Sequence, residues 1–260
     1  MLANVTRLDL RLRRRSTIGY AAGMAIYTLV VAALYPTFKN QTSLNGLSGS
    51  TAAALFGVTG KLTSSGGWLN ANIYSNFFPL IMLMLTIGYG ATCLAGQDES
   101  GNLALVVALP IRRRAILFQK LFAMAAQALV LAAATTVCAV IGQGFQLTVS
   151  TGDVIATAFA LMLMGLDFGL ISMAIGAFTG RRGTALGIAA ALAAASYLLS
   201  SLAATISAIR PGRYLSLFYW SVGNDQISKG VSLGDFTVLV VVGLCALVAA
   251  VIAFRRADLN

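Results

Sequence analysis

Six long apolar stretches, separated by polar segments, set the pattern of this chain. They cover roughly residues 18–35, 76–95, 116–142, 153–178, 184–206 and 236–254. About 20 mostly apolar residues in a helix cross a hydrocarbon core of ~30 Å. Inside that core a helix satisfies its own backbone hydrogen bonds. The pattern predicts an all-α membrane protein with six transmembrane helices, in a single transmembrane domain over residues 1–260.

Shorter periodicities lie between these stretches. At helical spacing Leu2, Val5, Leu8 and Leu12 share one face, and Arg7, Arg11, Arg14 and Arg15 the opposite one. Such a split predicts an amphipathic helix over residues 1–16, lying in the membrane interface and distinct from the first span. Residues 36–75 read as a long loop, with a surface helix at 44–58 and Trp68 and Tyr74 at the membrane interface. Residues 97–110 open on Asp98 and Glu99, which suit a helix N-terminus, and close at Pro110. Their apolar run is too short to span, so a surface helix is expected. Residues 207–235 carry Pro211, Tyr214, Phe218, Tyr219 and Trp220. They predict a re-entrant helical hairpin, against the simpler reading of an aromatic belt without re-entry.

Charge orients this pattern. With the N-terminus inside, 13 of the 18 basic residues fall on the cytoplasmic side: Arg7, Arg11, Arg13, Arg14, Arg15, Arg112, Arg113, Arg114, Lys120, Arg181, Arg182, Arg255 and Arg256. Lys39, Lys61, Arg210, Arg213 and Lys229 fall outside. Short cytoplasmic loops collect Lys and Arg, so both termini are expected in the cytoplasm. The chain is 58% apolar and 10% charged, which excludes a soluble domain of this length. A net charge of +10 could indicate nucleic acid, but the positive residues sit beside the spans, where they read orientation and anionic lipids. Membrane lipids are therefore expected as partners and nucleic acid is not. The expected location is a cell membrane, crossed several times, and the Ala-rich composition points to a bacterial source.

Candidate chemistry is sparse. Histidine is absent, which removes Ser-His-Asp triads and His-based zinc sites. The acids are scattered, and no carboxylate-rich metal cage is expected. No G-x-x-x-x-G-K-[ST] sequence exists, so the chain has no phosphate-binding loop of that kind. Neither a catalytic residue nor a bound cofactor is expected. Cys93, Cys138 and Cys245 lie within apolar spans, as packing residues and not a disulfide framework. Arginines ahead of an apolar run also resemble a leader peptide, but the run is long for one, and a retained first span is expected. Asp167 is the exception to this blandness, an acid near the middle of the fourth span. Charge at that depth is costly and usually faces protein or water. It is a candidate translocation-pathway residue, with Gln127, Gln119 and Thr135 on the third span as possible partners. A hydrogen-bonded packing role beside Gly165 and Gly169 is the competing reading. No proline is expected deep within a span.

The run from Glu99 to Lys120, E-S-G-N-L followed by P-I-R-R-R and a Lys, resembles the cytoplasmic segment of type-2 ABC transporter permeases. The closing run RYLSLFYWSVGNDQISKGVSLGDF, then a span, then FRRADL, is similar to the end of the same family. The resemblance implies that residues 97–110 form a coupling helix that docks on an ATPase subunit. Asp98, Glu99, Gly101, Leu103, Leu109, Pro110 and Arg112 would carry the contact. Ala104 stands where the family often has a second acid.

The resemblance further implies two ABC ATPase subunits holding ATP and Mg, and a second permease copy or a homologous permease completing the pathway. It implies export. The alternatives from other classes are an ion-coupled secondary transporter or channel using Asp167, and a non-catalytic membrane scaffold.

Overall fold

A computed structural model describes residues 4–41, 61–99, 113–203 and 206–256. Its frame is six long helices: α1 (Asn4–Phe38), α2 (Ser65–Cys93), α3 (Arg113–Ile141), α4 (Thr151–Thr179), α5 (Arg182–Ala203) and α6 (Leu233–Arg256). Each is long and apolar enough to cross a membrane. No strand occurs among the described residues.

Helix α4 is the axis. Two-thirds of its span-forming window is buried (67%), against 17% for α5 and 11% for α6. It packs on α2, α3, α5 and α6. The closest approach is at Gly90 of α2, where a Cβ would stand 2.2 Å from the Gly169 carbonyl oxygen. Only a residue without a side chain allows two helix backbones so near. Ser172 donates to the Ile87 carbonyl at 3.1 Å beside this contact. Helix α5 offers α4 a strip of alanines, with Ala185, Ala189 and Ala193 buried one turn apart, and leaves most of its remaining surface open.

Helix α1 differs from the expected pair of elements. No break separates residues 4–16 from the first span, and from Asn4 the chain runs as one helix to Phe38. Leu8 and Leu12 are exposed, as are Arg7, Arg11, Arg14 and Arg15. The face that docks on the bundle lies between them and is polar. It carries buried Asp9 and Thr17, with Thr6 and Arg13 half-buried.

Helix α2 begins at Ser65, well before the expected start at residue 76. Its first turns look like loop sequence because they hold Ser, Gly and Asn. In the fold those side chains serve the helix. Ser64 caps Gly67 N–H at 3.1 Å, and Asn72 and Asn76 donate to the carbonyls of Trp68 and Ala71 at 2.9 and 2.5 Å. Residues Asn70–Phe77 form wide π turns, which lead directly into Pro79. The early start places a proline inside a span, contrary to expectation. Trp68 and Tyr74 are buried here and do not form an interface belt; the Trp68 indole donates to the Val31 carbonyl at 2.9 Å.

After α5, residues Ser207–Leu215, Tyr219–Gly223 and Gln226–Lys229 form three short helical segments. The connecting Ser216, Leu217 and Phe218 are buried against α5. Ser216 donates to the Ser196 carbonyl at 2.6 Å, and the Phe218 ring meets Tyr197 edge-on at 5.2 Å. All three cysteines are free, and Cys245 faces outward. The expected surface helix at 44–58 lies outside the described residues.

Candidate functional site

The N-terminal part of α1, the end of α2, the start of α3 and the α4–α5 turn meet at one end of the bundle. This end carries most of the arginines. Lys120 enters from the first turns of α3 and is fully buried, with its ammonium 3.2 Å from the Asp9 carboxylate. The Tyr89 hydroxyl of α2 donates to the same oxygen at 2.7 Å. One turn along α1, the Arg13 guanidinium lies over the Tyr89 ring, 4.7 Å from its centroid, and donates to the Thr92 hydroxyl. Two cations, one carboxylate and one aromatic ring thus tie three helices together. A buried charge needs such pairing, because taking it from water costs several kcal/mol.

A separate five-residue helix, Ala95–Glu99, follows α2. The Glu99 carboxylate accepts the Arg182 backbone N–H at 2.8 Å. It therefore caps the first turn of α5, where the helix dipole favours a negative charge. Of the residues the resemblance assigns to ATPase contact, Asp98 ends on this helix beside Glu99. Gly101, Leu103, Leu109, Pro110 and Arg112 lie outside the described residues.

Asp167 sits elsewhere, in the seam between α4 and α6. It is 3% exposed, and its Oδ2 atom has no hydrogen-bond partner. Its neighbour across the seam is Gly243, where a Cβ would come within 2.5 Å of Oδ1. The third-span residues are turned to other uses. Gln127 accepts from Thr17 of α1 at 3.2 Å and donates to the Ala123 carbonyl at 3.1 Å. Thr135 donates to the Leu131 carbonyl at 3.0 Å. Neither partners Asp167, so the expected polar cluster around the deep acid does not form from these two. Gln127 instead belongs to the α1–α3 contact.

Asp9, Tyr89 and Lys120 are the residues that the sequence reading passed over as a group. The signals were present singly. Asp9 is the one acid in a stretch with five arginines, and Lys120 is a charge inside an apolar run.

The family model for ABC-2 family transporter protein matches residues 3–259, nearly the whole chain. A comparison with curated proteins found no match. The matched family is that of type-2 ABC permeases, a membrane translocation component that is not itself catalytic and usually works with ABC ATPase subunits.

Proposed function

The chain belongs to the ABC-2 family transporter proteins, and we propose that it is the permease subunit of an ATP-driven exporter in a cell membrane. The match over residues 3–259 carries this reading, because it takes in every span and the segment between α2 and α3 together. Two ATPase subunits would hold ATP and Mg, and this chain would bind neither. The basic end faces the cytoplasm, in keeping with the distribution of its arginines.

Residues 97–110 would serve as the coupling element, with Asp98, Glu99, Gly101, Leu103, Leu109, Pro110 and Arg112 as the candidate ATPase contacts. The Glu99 contact to α5 supports a mechanical role. Force on this segment reaches the N-terminus of α5 through one hydrogen bond, and reaches α1 through Arg13, Thr92 and Tyr89. A second permease copy, or a homologous one, packs on α5. Gly183, Gly187, Ala191 and Ala195 are exposed at four-residue spacing, and a Cβ at either glycine would meet nothing within 4 Å. Small residues at that spacing let helices approach closely in a membrane. Asp167 remains the candidate pathway acid, reached by cargo only when the α4–α6 seam parts. The cargo class that fits such apolar helices is lipids, amphiphiles or peptides.

Reconstitution with the partner ATPase tests the coupling role. Glu99→Lys replaces the α5 cap with a repelling charge, and ATP hydrolysis should then persist without transport or fail to dock. Normal coupled transport in this variant contradicts the assignment. One observation favours a second reading, an ion-coupled carrier: the unpartnered oxygen of Asp167. Transport that runs without ATP and stops in Asp167→Asn would select it.

A further inference from the structure

A pocket of about 270 Å³ opens at the basic end, between α1, the end of α2, the Ala95–Glu99 helix and the start of α5. Arg13 and Arg182 stand on its wall, with Thr92, Gln97 and Tyr89 between them and Leu12 at its rim. We propose that this pocket binds a phosphate oxyanion between the two guanidinium groups, presented by the head group of an anionic phospholipid.

The charge balance carries the proposal. Asp9 also lines the pocket, but its negative charge is matched by Lys120 behind it and its oxygen is shared with the Tyr89 hydroxyl. On the α5 side the Glu99 carboxylate accepts the Arg182 backbone N–H and keeps its charge, and it does not line the pocket, whose wall holds two arginines against the one carboxylate already paired with Lys120. Arg13 spends one nitrogen on Thr92 and its face on Tyr89. A guanidinium carries five N–H donors, so others remain for an anion. Arg182 forms no ion pair among the described residues. The Thr92 and Tyr89 hydroxyls donate to the Gly88 carbonyl and to Asp9, so the two arginines supply the donors, and arginine binds phosphate oxygens in bidentate fashion.

The surroundings favour the lipid form over a free anion. Leu12 is 73% exposed at the rim and Leu8 55% exposed one turn away, on a helix that continues into a span. Acyl chains can lie along that face while the head group enters the pocket. The site stands on this geometry and does not depend on the transporter reading. If that reading holds, a bound lipid bridges α1, the coupling segment and α5.

Lipid binding to the purified full chain, followed by native mass spectrometry in detergent, tests this. The probes are phosphatidylglycerol, diacylglycerol and inorganic phosphate. One phosphatidylglycerol should bind per chain and diacylglycerol should not. Arg182→Gln removes the charge of an exposed side chain and keeps most of its stem, and should weaken binding about tenfold, the value of one charge-assisted contact. Arg13→Gln with Arg182→Gln should weaken it further. Arg7→Gln with Arg11→Gln removes the same net charge from exposed positions off the pocket, and should change binding less than about twofold by screening alone. Inorganic phosphate that displaces the lipid, with the same Arg182 dependence, would support the oxyanion site and make free phosphate its second occupant. Equal losses in the two double variants would mean diffuse surface attraction and overturn the proposal. Equal binding of diacylglycerol, or no effect of Arg182→Gln, would overturn it as well.

Discussion

Asp9 and Asp167 are both aspartates enclosed by apolar helices, yet their surroundings have little in common. Asp9 lies near the basic end with an ammonium at 3.2 Å and a phenol at 2.7 Å on one oxygen. Asp167 faces Gly243, and one of its oxygens has no partner at all. The first is a structural charge, whose removal leaves Lys120 buried and alone. The second makes no ion pair or hydrogen bond that holds the fold together, which fits the proposed role in a conformation where α4 and α6 separate. A buried acid is informative about function in proportion to how poorly its neighbours satisfy it.

The largest expected effect comes from breaking the satisfied site. Lys120→Met should destabilise the protein by about 3–5 kcal/mol, the usual result of leaving one partner of a buried pair uncompensated. Replacing both partners, Asp9→Leu with Lys120→Met, should restore most of that loss, as read from denaturant or thermal unfolding in detergent. A double variant no better than the single one would show that the ionic character itself is needed. Next in size is the seam. Gly243→Ala sets a methyl group within 2.5 Å of the Asp167 carboxylate and should cost about 1–3 kcal/mol through overpacking. In an Asp167→Ala background the same change should be close to neutral, and a full cost there would remove Asp167 from the account of that contact.

Smaller effects sharpen the contrast. Glu99→Ala loses the α5 cap and should cost about 1 kcal/mol, whereas Glu99→Gln keeps an accepting oxygen and should cost less. Transport measured in both separates the cap from the charge: loss in Glu99→Gln at normal stability marks the charge as the ATPase contact. The smallest stability change is expected for Asp167→Asn, less than about 1 kcal/mol, since no ion pair or hydrogen bond is given up. Its readout is transport at normal expression. Unchanged transport would return Asp167 to a packing role.

These two aspartates also show where sequence reading succeeds. Asp167 stood out from composition alone, because one acid in a long apolar run is conspicuous. Its neighbour did not: Gly243 is one glycine among many, and the α4–α6 contact is set by tertiary packing. Asp9 was hidden among arginines, and its partner Lys120 is 111 positions away. Hydropathy was enough to find six helices, since the bilayer demands long apolar runs. It misplaced the start of α2, where Asn72 and Asn76 turn their amides onto their own helix. It also separated the N-terminal turns from the first span, because the arginines there read as a surface element while the helix continues through them.

The account's central claim is that this chain works through separate ATPase subunits docked on residues 97–114. The most direct measurement is purification of the tagged chain from its native host in gentle detergent, with mass spectrometry of what accompanies it. The account predicts a stoichiometric P-loop ATPase that is lost when Glu99 and the Arg112–Arg114 cluster are replaced. A folded chain that purifies without any such ATPase would contradict it.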